Sequence, residues 1–368
     1  MRVLVVNTGS SSLKLRALGP GDEVLASDER EVPTGRGERG LAEAVEGFLA
    51  AAPAVDAVGH RVVHGGPRLT AAARLGPDTE DALDEATELA PLHNPRALAA
   101  ARAVAALRPD LPAVLCFDTA FHATIPPAAR TYALPAAWHE RWGLRRYGFH
   151  GLSHAYVARR VAELVGRSGD PRLRVVSAHL GAGASLAAIV GGRSVDTTMG
   201  LTPMEGLVMA TRSGSVDPGL VLWVQRSGGI DAAEAERALS ADAGLLGLSG
   251  RSADMRDVLA GAGEGDARCA LALDVYVHRL AGEIARMATA LGGIDVLAFT
   301  GGVGENADQV RRLACDRLAL LGVPAPLEAE SPEPDRLISP PGAAVAVAVI
   351  AAREDLEVAR QVRELLGR

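Results

Sequence analysis

Residues 7–14 read Asn-Thr-Gly-Ser-Ser-Ser-Leu-Lys, and Lys14 is the only lysine in the chain; the other 37 of its 38 basic residues are arginine. A position kept as lysine against that bias suits a compact point charge rather than a planar fork. The glycine and serines before it offer backbone N–H groups and hydroxyls to an anion. The segment reads either as a phosphate cradle touched by Ser10, Ser12 and Lys14, or as the chance survival of one lysine. A second turn, His179-Leu180-Gly181-Ala182-Gly183, repeats the strand–turn–strand order of residues 2–15 about 170 residues later. A third, Thr300-Gly301-Gly302-Val303-Gly304-Glu305-Asn306, follows a strand-like run and opens a helix. Helix N-termini present oriented N–H donors and a positive dipole end to anions. None of the three matches the dinucleotide fingerprint or the P-loop.

Four further segments set charged or imidazole groups beside turns. Arg61, in Gly59-His60-Arg61-Val62-Val63-His64-Gly65-Gly66, closes an apolar strand that runs into glycines. It is either ligand-facing or an arginine snorkelling over a sheet edge. Asp118 follows the strand-like Ala113–Phe117, and ligands of open α/β sheets bind at such carboxyl ends. It can hold Mg²⁺ through water, orient an acceptor, or cap the next turn. His150 stands between Gly148 and Gly151 just before a helix, where it can donate to a charged group or serve structure alone. Arg212, in Thr211-Arg212-Ser213-Gly214, ends an irregular stretch with three methionines (Met199, Met204 and Met209). That stretch is a cleft wall or an ordinary buried loop with a surface arginine. The pairs His60/His64 and His150/His154 have i, i+4 spacing but no third ligand nearby, so a zinc site does not follow.

These groups need elements to hold them. Strand-like runs at 2–7, 11–18, 55–63, 112–117, 174–179, 184–190, 294–299 and 343–350 alternate with helical ones, which predicts an α/β architecture. Asn94-Pro95 and Asp217-Pro218 read as N-caps followed by proline at the first helical position. Ser153 reads as the cap of 154–165. Asp266 starts a long periodic segment that stops at Gly292-Gly293. Residues 19–40 read as a surface hairpin or loop, and 331–342, with four prolines, as an irregular crossing.

At 368 residues the chain is expected to hold two domains. Aromatics are only 3% against 48% hydrophobic residues, so the cores must be Ala, Val and Leu. A net charge of −7, with arginines dispersed, argues against nucleic acid as the main partner. Three scattered cysteines without a CxxC fit reduced, buried thiols. The apolar runs at 3–6 and 343–352 are too short for a signal peptide or a membrane span, so a cytoplasmic protein without a membrane partner is expected.

Taken together, the segments resemble the acetokinase family, within the superfamily of acetate and sugar kinases, chaperones and actin. The resemblance runs from Val3 to about Val362. It rests on residues 7–14, His-Arg-Val-Val-His-Gly-Gly at 60–66, Pro-Leu-His-Asn-Pro at 91–95, Phe-Asp-Thr-Ala-Phe-His at 117–122, Tyr-Gly-Phe-His-Gly-Leu-Ser-His at 147–154, Thr-Arg-Ser-Gly at 211–214 and Phe-Thr-Gly-Gly-Val-Gly-Glu-Asn at 299–306. Seven motifs in family order carry more than any one of them.

The resemblance implies two similar domains of the actin-like ATPase (ribonuclease H-like) type with a nucleotide cleft between them. Residues 1–150 with 351–368 would form the acid and phosphoryl side, and 151–350 the nucleotide side. It implies reversible phosphoryl transfer from ATP to acetate, a homodimer, and Mg²⁺, with Mn²⁺ as a substitute. Arg61 would hold the carboxylate and the transferring phosphoryl. Arg212 and His150 would stabilise the transition state, and Asp118 would orient or activate the acceptor. Asn7 and Glu354 would position the metal. Ser10, Ser12, Lys14 and the turn His179, Leu180, Gly181, Ala182, Gly183 would contact phosphate. Asp254, Met255 and Arg256 would reach the nucleoside, and Gly302, Val303, Gly304, Glu305 and Asn306 would cradle the adenosine side. Val63, Leu92, Phe149 and Pro203 would line a methyl pocket, tight enough to favour acetate. The chain departs from the family pattern twice: Gly181-Ala182-Gly183 stands where Gly-Asn-Gly is usual, and Arg353-Glu354-Asp355 where Asn-Glu-Glu is usual. Alternatives are a propionate or butyrate kinase, and a non-enzymatic ATP-switched protein of the same superfamily.

Overall fold

A computed structural model describes residues 1–9, 12–31, 37–91, 93–327 and 333–367. The chain forms two compact units: Met1–Ala123 with Phe149–Tyr156 and Arg353–Arg368, and Thr124–Gly148 with Val157–Ala352. Each is built on one six-stranded sheet.

The first unit carries β1 (Val3–Thr8), β2 (Ser12–Leu18), β3 (Val24–Glu31), β4 (Ala57–Val62), β5 (Ala73–Arg74) and β6 (Ala113–Phe117), in the order β3-β2-β1-β4-β6-β5. β1, β2 and β3 form an antiparallel meander, β4 and β6 continue parallel to β1, and β5 closes the edge antiparallel. The second unit repeats this plan with β7 (Arg174–Leu180), β8 (Ala184–Val190), β9 (Arg193–Thr197), β10 (Val296–Thr300), β11 (Arg336–Leu337) and β12 (Ala346–Val349), in the order β11-β12-β10-β7-β8-β9. There β7, β8 and β9 are the meander, and β10 and β12 are the parallel pair. Two copies of this topology are the actin-like ATPase fold, and the Gly/Ser turn repeat in the sequence marks the first hairpin of each copy.

Alternation along the strands sorts the first sheet into two faces. One face presents Leu4, Val6, Leu13, Leu15 and Val58 to the helices Gly37–Ala51 and Asn94–Leu107. The other presents Val3, Val5, Leu18, Ala57, Val114 and Cys116 to the helix Glu354–Leu366 through Val358, Ala359 and Val362. Gly59 of β4 makes that second packing possible. A Cβ there would lie 2.5 Å from Val358 Cγ1 and 2.7 Å from Val362 Cγ2. The missing side chain lets the helix approach β4 closely, which sets where its first residue, Glu354, falls.

Two capping expectations change in the structure. Asn94 is the first residue of its helix, not the cap, because its side chain is committed elsewhere: Nδ2 donates to His64 O (2.8 Å) and Oδ1 accepts from the His64 N–H (3.1 Å). Ser153 lies inside the helix Gly151–Leu164, which begins earlier because the Gly151 N–H bonds to Asp118 O (2.9 Å). Asp217 and Asp266 do cap, accepting from Gly219 and from Arg268 and Cys269 respectively. Within 19–40 the hairpin reading holds for β2–β3; the polar, exposed face of β3 hid its strand character.

His60 occupies the core of the first unit, 1% exposed, and among the described residues neither ring nitrogen has a hydrogen-bond partner. Burial pushes its pKa down to about 4. The unfolded chain therefore binds a proton that the native state refuses between about pH 6.5 and 4, so this group's contribution is intact above that window and lost as pH falls through it. Chemical denaturation at pH 7 and pH 4.5 should show a wild-type loss larger than that of His60→Leu, by up to roughly 3 kcal/mol. Equal losses would mean that His60 is hydrated or partnered in solution.

Candidate functional site

Asn7, Lys14 and Arg61 are cross-strand partners, Asn7 opposite Lys14 and Arg61 opposite Asn7, so the three share one face at the ends of β2, β1 and β4. Asp118 follows β6 directly, its N–H bonded to Val62 O (2.9 Å). The result is a four-residue cluster. Arg61 grips Asp118 bidentately, Nε to Oδ1 at 3.1 Å and Nη2 to Oδ2 at 2.6 Å. Its Nη1 donates to Asn7 Oδ1 (3.2 Å), and its Nε stands 3.5 Å from Glu354 Oε2. Asn7 Nδ2 closes the ring to Glu354 Oε2 (3.5 Å).

The cluster is shielded. The Arg61 side chain is 18% exposed and that of Asp118 1%. Burial alone would lower the Arg61 pKa, but the Asp118 and Glu354 carboxylates more than offset it and push it up, so the guanidinium stays charged. Burial pushes the Asp118 pKa up, while Arg61 and the His150 backbone N–H pull against it. The net direction is upward, with Glu354 adding to the burial, and the guanidinium on both oxygens is what favours the ionised form.

His150 is held beside Asp118 by its backbone. Its φ of 56° lies in the left-handed region, uncommon for a residue with a Cβ. The next residue must be glycine, because a Cβ at Gly151 would stand 2.0 Å from Asp118 O. Phe149 is buried, edge-on to the His64 ring at 5.4 Å, and its carbonyl meets His122 Nε2 at 3.0 Å. Val63, just past β4, is partly buried.

Glu354 opens its helix beside a second charge group. Asp355 accepts from Arg16 of β2 (3.0 Å) and from Arg353 (3.0 Å), which hold its carboxyl below the usual range despite burial. Arg353, the departure noted above, pairs with Asp355. Lys14 is half exposed and ion-paired across the hairpin with Glu29 at 2.7 Å. Ser12 begins β2. Ser10 and Leu92 lie outside the described residues.

The second unit carries the other expected residues. The His179–Gly183 turn joins β7 to β8. The Gly181 N–H donates to Gly183 O (3.0 Å), and Ala182 O accepts from the Ala210 N–H (3.1 Å), which ties the turn to the segment carrying Arg212. Arg212 donates to Pro203 O (2.8 Å) and lies 3.6 Å from Met209 Sδ. Among the described residues no carboxylate pairs with it, and burial lowers its pKa. It is therefore a partly buried cation without a compensating charge, receptive to an anion.

The third glycine turn is more occupied than its sequence suggests. The helix Gly301–Asn306 has six residues, and its first N–H, from Gly301, is taken by Glu305 Oε1 (3.0 Å). The same oxygen accepts from the Ala352 N–H (3.0 Å), so Glu305 is a structural cap. Asn306 Nδ2 donates to Gly302 O (2.8 Å), and Arg311 to the carbonyls of Gly304 and Glu305 (2.9 Å each). Gly302 and Val303 lie in this short helix. Asp254 caps the helix Met255–Gly263 and is folded against the exposed Arg256 (2.5 Å), with its pKa held at about 2 first by that hydrogen bond. Met255 is core.

No group of three or more His, Cys, Asp or Glu among the described residues forms a preassembled metal cage. Asn7 turns its Nδ2 to Glu354 Oε2 and its Oδ1 to Arg61, so Glu354 offers the carboxylate oxygens here. Mg²⁺ is typically held by one or two carboxylates and completes its shell with water and substrate phosphate, so Glu354, with Asn7 acting through water, fits such an ion. No helix among the described residues is long and apolar enough to cross a membrane.

Comparison with known proteins agrees with the motif reading. The sequence model of the Acetokinase family matches residues 38–360. An acetate kinase of Deinococcus radiodurans is 44% identical over 394 residues, spanning 100% of this chain and 98% of that one. The crystal structure of Porphyromonas gingivalis acetate kinase superposes with a TM-score of 0.89 at 35% identity, covering 99% of both chains. That of a propionate kinase from Francisella tularensis superposes with 0.88 at 33%, covering 98% of both.

Breaking the Arg61 cluster has a calculable signature. Arg61→Ala strands a buried carboxylate and should destabilise the protein by about 3–5 kcal/mol. Arg61→Ala combined with Asp118→Asn should recover part of that loss. Urea unfolding of the two single variants and the double variant measures the coupling; additive losses would mean that the pair is not formed in solution.

Proposed function

Because the chain belongs to the acetokinase family, we propose that it transfers the γ-phosphoryl group of ATP reversibly to the carboxylate of acetate, giving acetyl phosphate and ADP. An acetate oxygen attacks the γ-phosphorus in line as the bond to the β–γ bridging oxygen breaks, and the electron pair leaves with ADP. The observation that carries the reading is Arg61, held at the strand ends by Asp118, Asn7 and Glu354.

The reaction brings one anion onto another, so the protein's main task is positioning and neutralisation. Guanidinium suits both partners, since it binds carboxylate and phosphate through paired N–H donors. Arg61 holds the acid and the phosphoryl group; Arg212, paired with no carboxylate among the described residues, answers charge growing on the phosphoryl oxygens. His150 adds a donor to the same oxygens. Acetate arrives deprotonated, so no strong general base is needed, and Asp118 works by orienting Arg61. Asn7 and Glu354 hold Mg²⁺, or Mn²⁺ in its place, which supplies charge neutralisation to the nucleotide phosphates when bound. The turn at 179–183 contacts phosphate through its backbone, with Ala182 lacking the usual amide. Lys14 can reach a phosphate only by giving up Glu29, an exposed pair that costs little to break. The subunits pair as a homodimer in the cytoplasm.

Val63, Leu92, Phe149 and Pro203 bound the methyl of the acid. The similarity to a propionate kinase keeps a second reading in view, since one methylene shifts discrimination by only ~1–3 kcal/mol. The test is ADP release from Mg-ATP with acetate, propionate or butyrate, each against a blank without acid. Acetate should stimulate most and propionate less. Equal or faster turnover with the longer acids would favour the propionate reading, and no acid-dependent turnover would favour the ATP-switched one.

A further inference from the structure

The loop that precedes Arg212 is locked by a polar network that the reaction scheme leaves unused. Arg146 donates to the carbonyls of Thr198 (3.0 Å) and Met199 (2.8 Å) at the start of the loop, and to Glu205 Oε1 (2.5 Å) at its end. The other oxygen, Glu205 Oε2, accepts from the Tyr132 hydroxyl (2.6 Å), which in turn accepts from the Leu201 N–H (2.8 Å). The Arg146 guanidinium also lies over the Tyr132 ring, 5.5 Å from its centroid. Two side chains from the segment 124–148 thus tie residues 198, 199, 201 and 205 together. Gly200 sits inside the ring: a Cβ there would lie 1.9 Å from Glu205 Oε2 and 2.2 Å from Tyr132 Oη. Its carbonyl accepts from the N–H groups of Tyr147 (3.0 Å) and Gly148 (3.2 Å).

What the network leaves at the loop's tip is Thr202-Pro203-Met204, and Pro203 O is the hydrogen-bond acceptor of Arg212 Nη1. Among the described residues no carboxylate fixes the Arg212 fork; its Nη1 is directed by Pro203 O and, more weakly, by Met209 Sδ. We propose that Tyr132, Arg146 and Glu205 are positioning residues for the reaction, fixing the loop so that Pro203 both aims Arg212 and bounds the acid. A partly buried, fully connected polar network has one good arrangement, which suits holding a backbone carbonyl in place. The inference rests on the proposed roles of Arg212 and Pro203.

Glu205→Gln and Tyr132→Phe test it. The first removes the charge that Arg146 and Tyr132 share; the second removes only the hydroxyl and keeps the ring under Arg146. In the purified full chain, both should lower kcat with acetate by about 10–100-fold, the scale of a small misplacement of a catalytic group. Both should narrow the preference for acetate over propionate and leave the Kd for ADP unchanged. Wild-type kcat and acid preference in a variant that binds ADP normally would overturn the proposal. If Glu205→Gln fails to bind ADP, Tyr132→Phe decides alone. No acid-dependent turnover in the wild-type protein would overturn the kinase reading itself, an outcome separate from any effect of the variants.

Discussion

The bidentate pairing of Arg61 with Asp118 is the constraint on which the rest of the first unit depends. Two opposite charges, one near the end of β4 and one just past the adjacent parallel β6, are largely withdrawn from water. Such a pair is costly to bury and more costly to break, so its presence demands exact support from the backbone around it. That support is visible. β4 and β6 end in register, the Asp118 N–H is fixed to Val62 O, and Gly151 and the left-handed His150 fold the following segment against Asp118. Gly59 lets the helix Glu354–Leu366 approach until Glu354 faces Arg61 from the far side. A guanidinium bound to carboxylate on one side and amide on another has few orientations left. That is the preorganisation an anion-on-anion reaction requires.

The second unit uses the same topology for a different electrostatic purpose. Its loop beyond β9, tied to the 179–183 turn through the Ala210 N–H, carries Arg212, whose charge no carboxylate cancels among the described residues. The duplicated sheet thus places a compensated cation in one unit and an uncompensated one in the other. The first can be rigid because its partners are charged. The second depends on a carbonyl for its direction, and so on the polar network behind the loop at 198–206.

Much of this was legible in the sequence, and the exceptions have physical reasons. Arg61 and Asp118 announce themselves because each ends an apolar strand and precedes a turn, which is local information. That they grip each other follows from strand order, which no local pattern encodes. Glu354 and Asn7 meet through a helix packing onto a glycine nearly three hundred residues earlier in the chain. Lys14 stood out by composition, yet its neighbour Glu29 comes from a polar hairpin strand whose exposed face shows no hydrophobic alternation. Glu305 belongs to a glycine turn that reads as an anion cradle, but its side chain occupies the first free N–H. Tyr132 and Glu205 carry no motif. The one signal was an acidic residue in an otherwise apolar irregular loop, beside glycines that leave no room for a Cβ.

The central claim is that Arg61 acts through its fork, not only through its charge. The most direct measurement is acetyl phosphate formed from ATP and acetate, trapped with hydroxylamine, in the wild type and in Arg61→Lys. Lysine keeps the positive charge but cannot grip Asp118 and an anion bidentately. The account predicts acyl phosphate from the wild type and the loss of most of it in Arg61→Lys, with the fold intact by circular dichroism. Equal yields from the two proteins would contradict it.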